Sequence, residues 1–384
     1  MRVIGLISGT SHDAIEAAAV DFALDGEVVS ADVVATSSTP YDPELRRRLL
    51  AALPPAQTTL EQVCALDTEI GQAFAAAAAQ LLPADLVCSH GQTVYHWVDG
   101  RRALGTLQLG QPAWIAERTG LPVVADLRSR DIAAGGQGAP LASILDVLML
   151  AGSPTAAAAL NLGGIANITV VRSDAEPVAY DTGPANALLD AAMLELTGGT
   201  ETYDRDGARS RRGTVDRGLL ERLLDEPYYR LAPPKTTGKE LFNAAYLRER
   251  VDGAAGDDLL ATLAALTVET VAREVERYGV ETVVAAGGGT RNAAVMDGLR
   301  ERLSEVELRT FDELTGVPAE AKEALMLALI GFLTVHGLPG AVPSCTGASR
   351  AAILGSIVPG AGPLALPSPA ASAPTRLELR VTGR

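Results

Sequence analysis

The sequence predicts an α/β protein of two domains, with duplicated mixed sheets flanked by helices and a central cleft. Its 384 residues exceed the roughly 250–300 at which a single hydrophobic core stops growing. Strand-like and helical periodicities alternate along the chain. Two strand–turn–strand segments, at residues 5–22 and 157–171, each head one half of the chain. Their similarity indicates an internal duplication, with two turns facing each other across the cleft.

The first half opens with two strands over residues 3–22, joined by a turn of small polar residues. Helices, short strands and a hairpin turned at Asp99-Gly100 follow, at residues 43–52, 59–82, 85–90, 95–109, 112–120 and 122–126. A Gly-rich loop at 127–140 is the predicted domain junction. We therefore expect domains at residues 1–138 and 139–359, with the last helices of the second able to return to the first.

The second half repeats the strand–turn–strand pattern and then alternates strands with helices. After the hairpin at 157–171 we expect a strand at 177–181, a helix from Pro184, a polar loop at 201–216, helices at 237–251 and 257–278, and a strand at 282–289. Residues 360–384 are rich in Pro, Ala and Ser, which predicts a tail with one short strand, "RLELRV".

Charge and composition exclude several classes of partner. The formal net charge is −15 and the pI about 4.8, which disfavours nucleic acid and anionic membranes because no Lys/Arg cluster opposes that field. Three widely spaced cysteines fit neither a disulfide framework nor a metal motif, so a cytoplasmic location is expected. The N-terminus does not read as a signal peptide, and no stretch predicts a membrane span. A homodimer is compatible with these features, but the sequence leaves the oligomeric state open.

The turn in "GLISGTSHDAIEAAAVDF" carries residue types suited to phosphate. Gly9 allows close approach to the backbone, Thr10 and Ser11 offer hydroxyls and amides, and Asp13 can face a bound cation. An ordinary hairpin turn explains one such segment equally well. The second, "NLGGIANIT", adds Gly163, Gly164 and Asn167, and paired phosphate turns of this kind hold the nucleotide in actin-like ATPases.

The segment "AYDTGPANALLDAAMLELTGG" places an acid at a strand-to-helix crevice, where α/β folds bind ligands. Asp181 ends the strand, Pro184 suits the first helical position, and helix amides would keep the carboxylate ionised. An ionised carboxylate suits a general base or a cation ligand. Capping of the helix by Asp181 is an equally good reading of the local sequence.

Four further segments carry candidate binding residues. "AAGGGTRN" is a triple-glycine turn, with Gly287, Gly288, Gly289 and Asn292, against which an adenosine or phosphate can lie. "SHGQTVYH" ends a strand with His90, Gln92 and Thr93, which suit a sugar or simply form a turn, and "DLRSRD" offers Arg128 and Arg130 to an anionic group or to surface ion pairs. "PPKTTGKELFN" contains a capping box, Thr237 with Glu240, and offers Lys235 as a contact to phosphates, although a solvated lysine is the favoured interpretation. The chain lacks the P-loop, dinucleotide, nucleophile-elbow and zinc-protease motifs.

Taken in order, these segments and "LPVVADLRSRDIAAGGQGAPL" and "PSCTGASR" resemble the anhydro-N-acetylmuramic acid kinases over roughly residues 3–355. The resemblance implies a two-domain, actin-like (ribonuclease H-like) kinase. It also implies ATP-dependent, water-requiring opening of the 1,6-anhydro ring with phosphorylation of O6, in cytoplasmic recycling of cell-wall sugar. The implied cofactors are ATP and Mg²⁺, and the implied partners are small molecules.

The resemblance assigns roles residue by residue. The first turn matches the ATP segment of the family, Asp181 its catalytic base, and Glu323 in "AKEALMLA" an acid associated with metal or sugar. We expect Mg²⁺ at Asp13, Asp181 and Glu323. The ATP segment comprises Gly9, Thr10, Ser11, His12, Asp13, Ala14, Ile15 and Glu16.

Some residues depart from the family pattern. The first turn has His12, Ala14 and Glu16 where the family usually has Leu, Gly and Asp, and Ala142-Ser143 replaces Val-Pro. Because Ala tolerates fewer backbone angles than Gly, the turn geometry is expected to shift. A levoglucosan kinase-like enzyme is the nearest alternative, and a non-catalytic, ATP-gated actin-like module is another. The sugar-facing segments "SHGQTV" and "DLRSRD" disfavour the module.

Overall fold

The computed structural model describes residues 1–100, 102–233, 235–251 and 253–381. It contains two β-sheets with helices packed against them. Its strands are β1 (Arg2–Ser8), β2 (Ala14–Asp25), β3 (Val28–Pro40), β4 (Leu86–Asp99), β5 (Arg102–Leu109), β6 (Val123–Ala125), β7 (Ala157–Leu162), β8 (Ile165–Arg172), β9 (Ala175–Pro184), β10 (Thr282–Ala286), β11 (Glu307–Thr310), β12 (Ser356–Val358) and β13 (Arg376–Val381).

Helices occupy much of the remaining chain, and several begin at a proline or a capping side chain. They are α1 (Pro43–Ala52), α2 (Leu60–Ala79), α3 (Pro112–Thr119), α4 (Leu127–Ala133), α5 (Ser143–Leu150), α6 (Asn186–Leu196), α7 (Ala208–Arg212), α8 (Arg217–Leu224), α9 (Ala244–Arg250), α10 (Gly256–Arg277), α11 (Ala293–Arg302), α12 (Phe311–Thr315), α13 (Lys322–Val335) and α14 (Pro343–Thr346). None of those in the described ranges is long and apolar enough to cross a membrane.

The two sheets share one strand order, which confirms the predicted duplication. In the first sheet β6, β4, β1, β2 and β3 are neighbours in that order, and in the second β11, β10, β7, β8 and β9 are. In both, the first strand along the chain pairs antiparallel with the second and parallel with the fourth, and the second pairs antiparallel with the third. The fold is therefore the predicted α/β class with duplicated mixed sheets.

The chain divides into two compact units whose limits differ from the predicted domains. Unit 1 comprises residues 1–151 and 315–384, and unit 2 comprises residues 152–314. The predicted junction at 127–140 instead contains α4, and α5 belongs to unit 1, where Asp146 pairs with Lys322 of α13 at 2.7 Å. Residues after 314 return to unit 1, as the prediction allowed for the last helices. The second unit therefore spans residues 152–314 rather than 139–359, and residues 360–381 belong to unit 1 rather than to a separate tail.

The core of unit 1 depends on close packing of α13 against β1. All of α13 except Glu323 is buried. A Cβ at Gly5 would lie 1.9 Å from the Ala324 carbonyl oxygen, so only glycine lets the helix approach the strand this closely. The predicted terminal strand is present as β13, which pairs parallel with β3. The returning chain therefore completes the sheet that β1 begins.

The core of unit 2 lies between its sheet and the long helix α10. Apolar residues of β7, β8 and β10 form one buried cluster with residues of that helix, among them Leu260, Leu263 and Val271. The predicted helix at 237–251 begins later than expected, as α9, because Asn243 caps it by accepting from the Ala245 and Tyr246 amides. The predicted capping box of Thr237 and Glu240 is therefore wrong.

Candidate active site

The first predicted phosphate turn joins β1 to β2 in unit 1. The His12 amide donates to the Gly9 carbonyl at 3.2 Å, and His12 adopts a left-handed backbone with φ of 54°. Ala14 begins β2 in an extended conformation, so alanine at this position needs no conformation reserved for glycine. The backbone strain of the turn lies at His12, not at Ala14 as the departure from the family pattern suggested.

Gly9 leaves the backbone of this turn bare. A Cβ at Gly9 would meet only the Ser11 hydroxyl, at 3.9 Å, and its φ is not left-handed. Neither conformation nor packing within the described chain therefore requires glycine here. A bare backbone at this point is consistent with close approach of a ligand, which is the role predicted for residues 9–16.

Three carboxylates of unit 1 influence one another electrostatically. Asp13 is exposed and its Oδ1 accepts from the Ser11 hydroxyl at 2.5 Å, while Glu16 accepts from the Ser38 hydroxyl at 2.7 Å. Desolvation raises the pKa of Glu16, and repulsion from Asp13 and Glu323 adds to the rise. Oxygen donors of this kind suit Mg²⁺. Within the described ranges, however, no three His, Cys, Asp or Glu side chains are close enough together to hold a metal ion.

His90 holds Arg128 rather than offering its ring to a ligand. The Arg128 Nε donates to His90 Nε2 at 2.7 Å, and His90 Nδ1 lies 3.1 Å from the Gly91 carbonyl. These contacts define a neutral ring with its proton on Nδ1. Burial, with a smaller contribution from the nearby Arg128 charge, lowers the pKa of His90 to about 3. Because both ring nitrogens are occupied, the predicted sugar contact of His90 is not supported.

The side chain of Gln92 also forms hydrogen bonds within the protein, one of them to the first turn. It is fully buried, its Nε2 donates to the Gly9 carbonyl at 3.2 Å, and its Oε1 accepts from the Tyr41 hydroxyl at 3.3 Å. Its neighbour Thr93 is half-buried and its hydroxyl accepts from Gln108 at 3.1 Å. Both residues lie within β4, which continues past the predicted strand end at residue 90 to Asp99.

The two arginines of "DLRSRD" have different surroundings. The Arg128 Nη1 donates to the Gly138 carbonyl at 2.6 Å. Desolvation raises the pKa of Glu323 above its ordinary value, and the nearby charge of Arg128 offsets part of that rise. Glu323 is accessible to solvent in the first turn of α13. Arg130 is exposed on α4. Arg128 is therefore a fixed, partly buried cation near Glu323, and not a member of a surface ion pair.

Asp181 is held in unit 2 by a segment more than fifty residues further along the chain. Its Oδ2 accepts from the Thr236 hydroxyl at 2.8 Å and from the Thr237 amide at 3.0 Å. Its backbone amide donates to the Lys235 carbonyl at 3.1 Å, and its carbonyl accepts from the Tyr228 hydroxyl at 2.7 Å. Among the residues that the structure describes, Oδ1 has no hydrogen-bond partner and can accept a proton.

The carboxylate of Asp181 does not cap α6. That helix begins at Asn186, after Ala185, and has no side-chain cap. Asp181 lies three residues inside the end of β9, opposite Asn167 of β8, which itself lies opposite Asn161 of β7. Burial raises the pKa of Asp181 above its ordinary value, and the donors from Thr237 and Thr236 oppose that rise. The alternative of a simple capping role is therefore excluded.

Lys235 is buried, contrary to the expectation of a solvated side chain. Its ammonium lies 3.1 Å from Glu274 and donates to the Tyr229 carbonyl at 3.2 Å. The side chains of Lys235 and Glu274 are 1% and 6% exposed. The pair anchors the start of the segment that contacts Asp181, and it removes Lys235 as a candidate phosphate ligand.

The two glycine turns of unit 2 differ in their hydrogen bonds and in the space around each glycine. The carbonyls of Gly163 and Gly164 accept the first amides of α6, from Ala185, Asn186 and Ala187. In the triple-glycine turn, Gly287 has a φ of 89° and packs on Asn161, and Gly289 packs on Leu162. No described atom lies within 4 Å of a Cβ placed at Gly288.

Asn292, predicted to contact ATP, caps α11 through its side-chain oxygen. Its Oδ1 accepts from the Ala294 and Val295 amides at 3.0 and 3.3 Å. Gly288 is therefore the position in this turn that is open to a ligand. Thr236, Thr237 and Tyr228 were missed as functional residues, although the first two stand within the quoted segment "PPKTTGKELFN".

Unit 2 holds the hydrogen-bonded carboxylate of Asp181, and each unit, taken by itself, has a glycine turn. Comparison with known proteins shows the family of the chain. The family model described as anhydro-N-acetylmuramic acid kinase matches residues 1–360. The chain belongs to the anhydro-N-acetylmuramic acid kinase family. This membership confirms the resemblance drawn from the sequence motifs.

Curated anhydro-N-acetylmuramic acid kinases are similar over their whole length. Those of Streptomyces coelicolor and Streptomyces avermitilis are 56% and 55% identical, covering 100% and 99% of this chain and all of theirs. That of Rhodococcus erythropolis is 51% identical over 99% of both chains. The resemblance is thus to complete kinases and not to a shared module.

Proposed function

We propose that this chain uses ATP to phosphorylate 1,6-anhydro-N-acetylmuramic acid, opening the anhydro ring with water and giving N-acetylmuramate 6-phosphate and ADP. Full-length similarity to kinases with that printed name supports the substrate. The observation that carries the chemistry is the Asp181 carboxylate, fixed through Oδ2 with Oδ1 left to take a proton. We place this reaction in cytoplasmic recycling of cell-wall sugar.

In the proposed reaction Asp181 acts as the general base toward water. As the water oxygen bonds to C1, Asp181 accepts its proton and the C1–O6 bond breaks. O6 then bonds to the γ-phosphorus, and the bond from that phosphorus to the β-phosphate oxygen breaks to release ADP. The fixed carboxylate holds the base in one orientation, which lowers the entropic part of the barrier.

We assign nucleotide binding to the bare glycine turns. Residues 9–16 of unit 1, and Gly163, Gly164 and Gly288 of unit 2, offer backbone that phosphate or adenosine can approach closely. Mg²⁺, when bound with the nucleotide, would be held by Asp13, Asp181 or Glu323 and would neutralise charge on the phosphates. Asp13 fits this role because its carboxylate is exposed and hydrogen-bonded only locally.

We assign sugar binding to Arg128, Arg130 and Thr93, with His90 and Gln92 as positioning residues. The lactyl carboxylate of the substrate is the anionic group that an arginine can recognise. His90 fixes the direction of the Arg128 guanidinium through a 2.7 Å hydrogen bond. Gln92 fastens the first turn to β4 through the Gly9 carbonyl.

A coupled ADP-release assay with a small panel of anhydrosugars tests this function. The expected result is ADP release that requires 1,6-anhydro-N-acetylmuramic acid and yields its 6-phosphate. ADP release without sugar, or with none of the panel, would contradict the proposal. Release with levoglucosan alone would favour the levoglucosan kinase-like alternative.

A further inference from the structure

The side chain of Lys239 lies against the Gly163-Gly164 turn of unit 2. Its Cε is 3.4 Å from the position of a Cβ at Gly164, so the ammonium group stands beside the backbone of the turn. Neither glycine has a left-handed φ. Backbone conformation therefore does not require glycine at either position, and the cationic side chain of Lys239 lies against Gly164.

The backbone that carries Lys239 is fixed at both ends. Upstream, the Lys235 ammonium is buried against Glu274, and Thr236 and Thr237 are bonded to Asp181. Downstream, the Asn243 side-chain amide donates to the Lys239 carbonyl at 2.8 Å, and Phe242 is fully buried. The position of Lys239 beside the turn is thus set by the same segment that holds the proposed base.

The charge of Lys239 has no ion-pair partner in the described part of the chain. No carboxylate there lies within 4.0 Å of its ammonium nitrogen, whereas Lys235 and Lys322 pair with Glu274 and Asp146. Asp190 of α6 is the acid it influences, at a distance longer than an ion pair. An exposed cation without a partner, beside bare backbone, is a suitable receptor for an anion.

We propose that Lys239 binds the phosphates of ATP at the Gly163-Gly164 turn. A lysine ammonium is a compact charge with three donors, which suits phosphate oxygens arriving from several directions. This inference rests on the proposed kinase function and adds a side chain to its phosphate site. It replaces Lys235, which the structure removes from that role.

Three variants test the contact through nucleotide affinity. Lys239→Met is expected to raise KM for ATP, and the Kd for ADP measured without sugar, by about tenfold or more, because it removes a charge-assisted hydrogen bond. Lys239→Arg keeps the charge and is expected to stay within about threefold of the unmodified chain. Arg248→Met is the control, since it removes a cation of the same segment whose partner is Glu195. Unchanged KM and Kd in Lys239→Met, or an equal loss in Arg248→Met, would overturn the proposal.

A second measurement uses the composition of the chain and does not depend on catalysis. The sequence has three lysines, of which Lys235 and Lys322 are buried. An amine-acetylating reagent followed by peptide mapping therefore reports chiefly on Lys239 and the N-terminal amine. Saturating ADP with Mg²⁺ is expected to slow acetylation of Lys239 at least fivefold while leaving Met1 unchanged. Equal labelling of Lys239 with and without bound nucleotide contradicts the inference, while missing kinase activity with protection intact contradicts only the proposed function.

Discussion

Thr236 donates its hydroxyl hydrogen to Oδ2 of Asp181 at 2.8 Å, and the adjacent Thr237 amide donates to the same oxygen at 3.0 Å. Both donors stabilise the ionised carboxylate against the desolvation that raises its pKa. They also leave Oδ1 as the proton acceptor. Position and protonation state of the proposed base are thus controlled by one segment.

Replacing Asp181 with Asn tests its role as the base. Asn keeps the size of the side chain and removes the proton acceptor, so kcat is expected to fall by about 10² or more. The melting temperature and ATP affinity are expected to change little. Asp174→Asn in the exposed β8–β9 turn is the matched control and should retain full activity. A near-normal kcat in Asp181→Asn would remove this residue from the mechanism.

Thr236→Val tests whether the Thr236 hydroxyl helps to keep Asp181 ionised. Removing a donor to the carboxylate raises the pKa of Asp181 further. Because the base must be ionised, the acid limb of the kcat profile is expected to move to higher pH, with activity on the plateau largely kept. The measurement is kcat against pH from about 4 to 8, a range that brackets a carboxyl group whose pKa is raised. Thr236→Ser keeps the hydroxyl and should restore the original limb; an unshifted limb in Thr236→Val argues that this contact does not tune the base.

We expect the arginines of α4 to favour a substrate that carries a carboxylate. If Arg128 or Arg130 pairs with the lactyl carboxylate, kcat/KM for 1,6-anhydro-N-acetylmuramic acid should exceed that for levoglucosan by about tenfold or more. Arg130→Gln and Arg128→Gln, assayed separately with both sugars, identify which arginine carries the preference. Equal kcat/KM for the two sugars in the unmodified chain would contradict the assignment of both residues.

We expect the burial of neutral His90 to lower the free energy of unfolding in acid. Its folded pKa of about 3 lies below the ordinary 6.5, so the unfolded chain binds a proton first as pH falls. The stabilisation is present above about pH 6.5 and declines below it, by up to about 1.4 kcal/mol per pH unit. Urea unfolding of His90→Gln, whose amide can accept from Arg128, should show a shallower decline between pH 6 and 4. Parallel declines in the two proteins would show that His90 does not contribute.

Local patterns in the sequence predicted the duplication, because two hairpins with small polar turns head the two sheets of the same strand order. They predicted that Asp181 ends a strand, but β9 continues three residues beyond it to Pro184. What local pattern could not supply is the partner of each side chain. The tertiary fold brings Thr236 to Asp181 and Lys235 to Glu274. The local sequence does not distinguish a solvated lysine from one that is buried in an ion pair.

Expectations about single side chains failed where other groups in the fold form the same hydrogen bonds, and the unit boundary differed because of helix packing. The Thr237–Glu240 pattern fits a capping box, but Asp181 takes the Thr237 amide and Asn243 caps the helix instead. His90 and Asn292 looked available for a ligand, yet Arg128 and the first amides of α11 occupy them. The unit boundary was missed because α13, an almost wholly buried helix, packs on the N-terminal strand.

In the proposed reaction one chain couples ring opening by water to phosphoryl transfer from ATP. Incubating the purified chain with ATP and 1,6-anhydro-N-acetylmuramic acid in ¹⁸O-labelled water, with rapid quenching and mass spectrometry, tests it directly. Unlabelled water and a pre-formed product incubated for the same time correct for exchange at C1. We expect one ADP per sugar, with ¹⁸O on C1 of the sugar and none in the phosphoryl group on O6. Label appearing in inorganic phosphate, or a phosphorylated sugar whose anhydro ring is intact, would contradict it.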